Sequence, residues 1–354
     1  MMLYRRIKLS DSAAMEKIAI ASGYGMTTLP HDPVLLGKRV KWAVESFDKT
    51  VEKPVSEYYL FVLEDTDTGE VVGTSAIESA IGFDLPFYSY HISQRTRISH
   101  ALNIRTDYKV LSLVNDLQDS SEICTLFLHP DYRKNANGLL LSRARFLFMA
   151  QFPNRFADRV IAEMRGVSSP DGNSPFWDHV IGGFFKIPFK EADKLTLTSN
   201  KQYITDLMPR SPLYVQLLHP EAQAVIGQPH PSTAPAMKIL FKEGFRFNNY
   251  IDIFDGGPAI EAMRTDIKTL SSSRELTIKS IKDDVVSPPY LLSNTNIDFR
   301  AVLTSVMFDQ RENACIISKE TAEILQLQIG DSIRLAPLHR QSPTVTKEGT
   351  YGSK

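Results

Sequence analysis

The sequence predicts a protein of the α/β (α+β) class with a small β-rich module near its C-terminal end. Strand-like and helix-like segments alternate from the N-terminus to about residue 257, which is the pattern of an α/β fold. From Arg274 to Leu338 the pattern changes to short β-like runs. Hydrophobic residues make up 43% of the 354 residues, which suffices for a sizeable core and argues against global disorder.

The chain begins with a predicted strand, helix and hairpin. "LYRRIKL" alternates apolar and basic residues, as a half-buried strand does. Ser10 or Asp11 can cap the helix that follows. Two apolar runs, residues 58–63 and 71–77, flank a short turn that contains glycine, so we expect a β-hairpin there.

The middle of the chain contains two segments of similar order. A strand is predicted at residues 123–128, a helix from about Gly138, and another strand at residues 159–167. "SPFWDHVIGGFFKIPF" then predicts a short helix, a glycine break and a strand, and residues 233–257 repeat this order around a second Gly-Phe pair. The pair suggests two related α/β halves, at residues 1–190 and 191–338.

The C-terminal region is predicted to contain a small β-rich module and a tail. "SKETAEILQLQIGDSIRL" is typical of a capped short helix, a glycine turn and a strand. Residues 339–354 are rich in Ser, Thr, Gly, Lys and Pro, which predicts a flexible tail.

Bulk properties exclude several classes of protein. The formal net charge of −1 argues against a general nucleic-acid binder. Two isolated cysteines indicate a reducing compartment rather than a disulfide framework. The N-terminus lacks the apolar core of a signal peptide, and no apolar run reaches the roughly 20 residues that span a bilayer. We therefore expect a cytoplasmic protein without a membrane partner.

The junction "TLFLHPDYRKNANGLLLSRAR", Thr125 to Arg145, predicts an anion site between a strand and a helix. Backbone N–H groups at a helix N-terminus lack partners inside the helix and bind phosphate readily. Small residues let an anion approach the backbone, and Arg133 and Lys134 add positive charge. An ordinary strand-to-helix connection with solvated basic residues is the alternative. The stretch is neither a Walker A loop nor a GxGxxG fingerprint.

This junction resembles the pyrophosphate loop of GCN5-related N-acetyltransferases, which bind acyl-CoA. Their pattern is Arg/Gln-x-x-Gly-x-Gly/Ala at the start of a helix after a strand. Arg133, Ala136 and Gly138 stand at the three motif positions, with Ala136 in place of the first glycine. The resemblance implies a tandem acetyltransferase-like fold.

A narrower resemblance covers nearly the whole chain. "SSEICTLFLHPDYRKNANGLLLSRARFLFMA", "AEMRG", "SPFW", "QAVIGQPHPSTAPA" and "EGFRFNNYIDIFDGGP" together resemble the arginine N-succinyltransferase family. The resemblance implies transfer of a succinyl group from succinyl-CoA to the α-amine of arginine. Succinyl-CoA would be a co-substrate, and direct transfer needs no metal.

The resemblance also implies roles for single residues. His230, in "GQPHPSTAP", falls on the proton donor of the family; by itself, a histidine between two prolines is more often a structural loop residue. Leu126 falls on a succinyl-CoA contact, and the edge of its strand, as far as Leu128, could pair with the pantetheine arm. The implied pyrophosphate contacts are backbone groups of the loop residues Arg133, Asn135, Asn137 and Gly138.

Substrate recognition requires opposite charges. The guanidinium group of arginine calls for a carboxylate, and Glu122, Glu163 and Asp255 lie at or near strands that should border the cleft. The succinyl carboxylate calls for a cation, for which Arg165 is a candidate. Each of these four residues could equally form a surface ion pair.

Two other functions stay open. The same fold could act on another amine such as ornithine or use another acyl-CoA, or the chain could be a non-catalytic acyl-CoA-binding subunit. We expect a homo-oligomer or a hetero-oligomer of related subunits, with the β-rich C-terminal region as a candidate interface.

Overall fold

The computed structural model describes residues 1–23, 26–83, 85–169, 171–189, 191–192, 195, 202–309 and 313–338. The strands of this part form one 16-stranded sheet with helices packed against it, which confirms the α/β class. The division into two halves stays a prediction, because strands from both belong to the same sheet. The predicted tail, 339–354, lies outside the described residues.

The strands are β1 (Met2–Arg6), β2 (Tyr58–Asp65), β3 (Glu70–Glu78), β4 (Ser89–Ser99), β5 (Ile104–Val114), β6 (Ser121–Leu128), β7 (Arg159–Glu163), β8 (Leu213–Tyr214), β9 (Arg246–Ile251), β10 (Pro258–Met263), β11 (Arg274–Lys282), β12 (Pro289–Asn294), β13 (Arg300–Ser305), β14 (Met307–Asp309), β15 (Ala314–Ser318) and β16 (Ser332–Pro337). Their order across the sheet is β14-β15-β11-β16-β12-β13-β1-β2-β3-β6-β7-β10-β9-β4-β5-β8.

The α-helices of the described part are α1 (Ser12–Ser22), α2 (Pro33–Asp48), α3 (Asn137–Gln151), α4 (Gly182–Phe185), α5 (Gln202–Leu207), α6 (Pro220–Val225), α7 (Ala234–Glu243), α8 (Lys268–Ser271) and α9 (Lys319–Leu325). A π-helical turn, Trp177–Ile181, runs into α4, and 3₁₀ turns occupy Leu9–Asp11, Pro130–Tyr132, Pro153–Arg155, Val215–Leu217 and Arg264–Asp266. Within the described ranges, every helix is too short or too polar to cross a bilayer.

The N-terminal elements follow the predicted order. The hairpin is confirmed, with β2 and β3 paired antiparallel from Tyr58↔Glu78 to Asp65↔Glu70. Asp11 does stand at the start of α1, but its carboxylate does not cap that helix. It accepts the Lys8 N–H at 2.8 Å and forms a buried ion pair with Arg5 instead.

The largest core lies where α3 packs on the sheet. Both faces of β2 are covered, so Tyr58 to Leu63 are buried without alternation. Aromatic rings from α2, β2, α3 and the following turn pack mostly edge to face, at centroid distances of 5.1–5.8 Å: Phe47, Tyr59, Phe61, Phe148 and Phe156. This cluster fixes α3 against the strands that carry the site described below.

The strand predicted after Gly183-Phe184 is wrong. The helical turn continues through both glycines to Phe185, and residues 186–189 form no strand. The second segment, residues 233–257, does have the predicted order. Its helix α7 ends at Gly244, whose φ of 112° suits glycine, and β9 follows. The two segments therefore differ in element order.

The C-terminal module is confirmed. Strands β11 to β16 pair with one another, and α9 covers a separate core that contains Ile278, Leu292 and Leu335. The Ser318 hydroxyl accepts the Thr321 N–H at 3.1 Å and so caps α9. Gly330 precedes β16 with a φ of 95°, in the turn that the sequence predicts.

Candidate active site

The centre of the sheet contains a split between two neighbouring strands. β6 and β7 are parallel, but they pair only through Ser121↔Val160 and Glu122↔Ile161. Beyond Glu122, β6 bulges against β3, with Thr125 at a φ of 55°. A bulge re-aims the strand and ends its pairing. In the described strand pairings, the β6 edge that faces β7 is therefore open from Ile123 onward.

A cleft of about 770 Å³ lies at this split. Its walls come from β6, the end of β7, the loop before α3, the start of α7 and the loop after β9. All but one of the predicted site residues line it: Glu122, Leu126, Leu128, Arg133, Asn135, Asn137, Gly138, Glu163, Arg165 and Asp255. His230 is the exception, but it forms hydrogen bonds with two lining residues, Ser232 and Thr233.

The loop before α3 holds the helix N-terminus towards the cleft. Asn135 and Ala136 both have left-handed backbones, at φ 51° and 62°. Such a conformation costs a non-glycine residue roughly 1 kcal/mol, and here it turns the chain sharply into the helix. A Cβ at Gly138 would meet nothing within 4 Å, so the space beside this residue is open.

Two side chains of this loop serve the loop itself. Arg133 Nε donates to the Leu128 carbonyl at 3.0 Å and ties the loop to β6. Asn137 is buried, and its Nδ2 donates to the Tyr132 carbonyl at 3.0 Å. Because these side chains hold the turn, the backbone N–H groups of the first helical turn are the better donors to a bound anion.

His230 is fixed between backbone groups at the end of β7. Its N–H donates to the Arg165 carbonyl at 2.7 Å, and Pro229 bridges to Gly166. The Ser232 N–H donates to the ring Nδ1 at 3.2 Å, and the Ser232 hydroxyl lies 2.7 Å from the same atom. Burial and the neighbouring Arg165 charge lower the pKa of His230 below its usual 6.5, against a hydrogen bond with the Ser168 backbone. The ring is therefore neutral at neutral pH.

Asp255 acts as a clamp within the wall of the cleft. Its two carboxylate oxygens accept the N–H groups of Gly166 at 2.7 Å and of Gly257 at 2.8 Å. Burial, reinforced by the nearby Asp252, raises the pKa of Asp255. A Cβ at Gly166 would lie 2.5 Å from the Asp255 carbonyl oxygen, so only glycine fits this junction.

The structure also brings in residues that the sequence analysis did not select. Ser232 contacts the His230 ring, and Arg145 of α3 lines the cleft while being only 1% exposed. The sequence does contain an indication of Arg145, because it is a charged residue within the mostly apolar run "LLLSRARFLFMA". A charge at a core position of a helix calls for a partner or a ligand.

Away from the cleft, three exposed side chains could hold a metal ion. The ligand atoms of His179, His219 and Glu221 lie within 4.8 Å of one another. The two imidazole rings stack at 4.0 Å, and His179 Nε2 lies 3.2 Å from the Glu221 carboxylate. The ring stack and the hydrogen bond between His179 and Glu221 account for this grouping without a metal.

Comparison with known proteins gives matches over nearly the whole chain. The family described as arginine N-succinyltransferase beta subunit matches residues 2–269, and the C-terminal domain of that family matches residues 274–337. Arginine N-succinyltransferase subunit beta of Pseudomonas aeruginosa is 42% identical over 340 residues, which are 96% of this chain and 99% of that protein. Arginine N-succinyltransferase of an Enterobacter species is 41% identical over 346 residues, 97% of this chain and 100% of that protein.

A solved structure gives the same result. The arginine/ornithine succinyltransferase subunit AI from Pseudomonas aeruginosa has a TM-score of 0.87 to this chain at 36% identity, and the match covers 96% of this chain and 99% of that one. Both the sequence and the fold therefore place the protein with these enzymes: the chain belongs to the arginine N-succinyltransferase beta subunit family.

Proposed function

We propose that this protein transfers the succinyl group of succinyl-CoA to the α-amine of L-arginine. Membership of the family supports the reaction itself, and one structural observation supports the cleft as the place where it occurs. The open β6 edge, the N-terminus of α3 and the His230 loop meet at a single cleft. An acyl-CoA enzyme needs these three parts, because it must hold a pyrophosphate, an extended arm and a reacting thioester.

In this proposal, acyl-CoA binds along the split between the strands. The pyrophosphate lies against the backbone N–H of Gly138 at the start of α3, where the helix dipole favours negative charge. The Asn137 N–H already donates to the Lys134 carbonyl at 3.0 Å, so this residue shapes the turn. The pantetheine arm follows β6 past Leu128 and Leu126 and pairs with its open edge like an added strand. Asn135 and Arg133 shape the loop that receives the phosphates.

The reaction then proceeds by direct attack. The neutral α-amine of arginine attacks the thioester carbonyl carbon, so that an N–C bond forms and the oxygen becomes negative. Backbone N–H groups of β6 stabilise this oxyanion. His230, neutral at rest, takes the proton that the nitrogen loses, and it donates this proton to the CoA thiolate as the C–S bond breaks. A lowered pKa suits this step, since the ring is neutral at rest and its conjugate acid releases a proton readily.

Charged residues of the cleft are proposed to select the amino acid. Glu122 and Glu163 line the cleft and are the proposed partners of the guanidinium group. Asp255 is less suited, because both of its oxygens already accept backbone N–H bonds. Arg165 is proposed to bind a substrate carboxylate. This role is supported by the closeness of Arg165 to His230, whose pKa its charge lowers, because the α-carboxylate of arginine lies next to the reacting amine.

Ornithine is a second candidate acceptor. The favouring observation is that the similar solved structure is a subunit of an arginine/ornithine succinyltransferase. That structure and the relative from Pseudomonas aeruginosa are both subunits, so the proposal includes an oligomer of related subunits, with a subunit that has no activity of its own as the alternative. Two free thiols, Cys124 and Cys315, fit the proposed cytoplasmic location.

The test is release of free thiol from succinyl-CoA with arginine, ornithine or buffer. We expect arginine to give turnover, and His230→Ala to lower kcat by about 10²- to 10⁴-fold while CoA binding is kept. His100→Ala, an exposed histidine in the β4–β5 turn, is the matched control and should behave like the wild type. Turnover with ornithine but not with arginine would make ornithine the substrate. Full activity of His230→Ala would refute the catalytic role of His230.

A further inference from the structure

Arg145 is a buried cation inside the wall of the cleft. Only 1% of the residue is exposed, and it lines the cleft from α3. Nε donates to the Ser142 carbonyl at 3.0 Å, Nη1 to the Cys124 carbonyl at 3.4 Å, and Nη2 to the Ser142 hydroxyl at 3.3 Å. These three bonds use three of the five N–H groups of a guanidinium, and two of them are long.

The described residues give Arg145 no counter-ion. No carboxylate of that part of the chain forms an ion pair with it, and the ionisable groups near it are Tyr4 and Cys124. Burial raises the pKa of both, so neither carries a negative charge at neutral pH. Arg143, two residues earlier on α3, is also buried but pairs with Glu243 at 2.9 Å. Folding rarely leaves a buried charge without a partner unless something else supplies one.

The position of Arg145 indicates which part of the ligand it meets. Arg145 follows Gly138 by seven residues, which is about 10 Å along a helix. Its contact Cys124 precedes Leu128 by four residues, which is about 13 Å along a strand. Both measures place the guanidinium well away from the pyrophosphate loop and towards the acyl end of an acyl-CoA that extends along β6.

We propose that Arg145 binds the terminal carboxylate of the succinyl group and thereby selects succinyl-CoA over acyl-CoA with a neutral chain. This inference rests on the proposed function, since it names the group that the acyl end carries. The succinyl carboxylate would supply the counter-ion that the described residues do not give Arg145. The two remaining N–H groups of the guanidinium can donate to it. Arg165 lines the same cleft, but its side chain contacts Ser168 and lies near His230, at the amine end.

The experiment compares succinyl-CoA with butyryl-CoA, which has a methyl group in place of the carboxylate. Both are measured with arginine in one preparation, so the ratio of their kcat/KM values is independent of the fraction of folded enzyme. The wild type should prefer succinyl-CoA. Arg145→Met should lower this preference by about a hundredfold through loss of activity with succinyl-CoA, because a charge-assisted contact is lost.

Controls separate a binding role from a structural one. Arg143→Met leaves Glu243 buried without its partner, so Tm should fall while the preference is unchanged. Arg145→Met, which removes an uncompensated charge, should have a Tm at least equal to that of the wild type. If the Met variant does not fold, Arg145→Gln carries the same comparison. An unchanged preference in the folded variant overturns the proposal.

A failure of the proposed function gives a different result. If the wild type transfers neither acyl group, equilibrium binding of the two thioesters still measures the preference without turnover. Tighter binding of succinyl-CoA that is lost in Arg145→Met supports the carboxylate site alone. Equal binding of both thioesters to the wild type refutes it.

Discussion

The cleft region and the C-terminal module are built from the same kinds of element, but their strands behave differently. In the module, β12 pairs with β16 from Tyr290↔Pro337 to Asn294↔Ile333 and with β13 over a similar length. In the cleft region, β6 leaves β7 after two residue pairs. In the cleft region, backbone groups that a sheet would otherwise pair are thus available to a ligand in the middle of the sheet.

The difference shows how stability and function are distributed in this chain. The module has a continuous core under paired strands, and none of its described residues lines the 770 Å³ cleft. The cleft region combines a bulge, a left-handed turn and a buried arginine that has no counter-ion among the described residues. Each of these features costs free energy in the folded state.

The largest effect on stability should come from a core substitution in the module. Leu335 is 1% exposed in β16, so Leu335→Ala should lower the free energy of unfolding by about 3 kcal/mol, through lost burial and a cavity. The rate per folded molecule should not change. Urea unfolding with thiol release measures both quantities, and a changed KM for succinyl-CoA would show that the module does shape the cleft.

A smaller effect of opposite sign is expected at the helix start. Gly138→Ala should stabilise the fold by about 1 kcal/mol, because alanine favours a helix and its Cβ meets nothing. The added methyl group would occupy space beside the bound pyrophosphate, so KM for succinyl-CoA should rise about tenfold, or roughly 1.4 kcal/mol.

Gly37 offers a matched control for that substitution. It lies inside α2, its Cβ would also meet nothing within 4 Å, and it is not among the residues that line the cleft. Gly37→Ala should give the same gain in stability with no change in KM. Equal KM values for the two variants would mean that no ligand approaches Gly138.

The smallest predicted effect is a displacement of the pH profile. The pKa of His230 is lowered, so the ring stays neutral and does not limit the rate as the pH falls below 6.5. His230 should contribute an acid limb only when the pH passes through this lowered pKa. In Arg165→Met, which loses one of the two causes, the acid limb should move to higher pH. If the acid limb of the pH–rate profile does not move in Arg165→Met, His230 is not the titrating group.

Much of the fold follows from local patterns in the sequence. Alternation and apolar runs predict β1, the β2–β3 hairpin, β6 and the C-terminal module, because a strand's side chains must match the faces it buries. The small residues after β6 predict a helix N-terminus that can bind an anion. The prediction of a strand after Gly183 was wrong, also for a local reason. Two glycines do not force a helix to end when neighbouring groups pack around it.

Other features were decided only by the tertiary structure. The pairing of β6 with β7 ends at Glu122, and this depends on the bulge at Thr125 and on a strand 31 residues or more away in the chain. The clamp of Asp255 on Gly166 and the contact of His230 with the Arg165 carbonyl likewise join distant segments. Arg143 and Arg145 look alike in the sequence. Which of them has a counter-ion depends on Glu243, about a hundred residues later, because burial and pairing are properties of the assembled core.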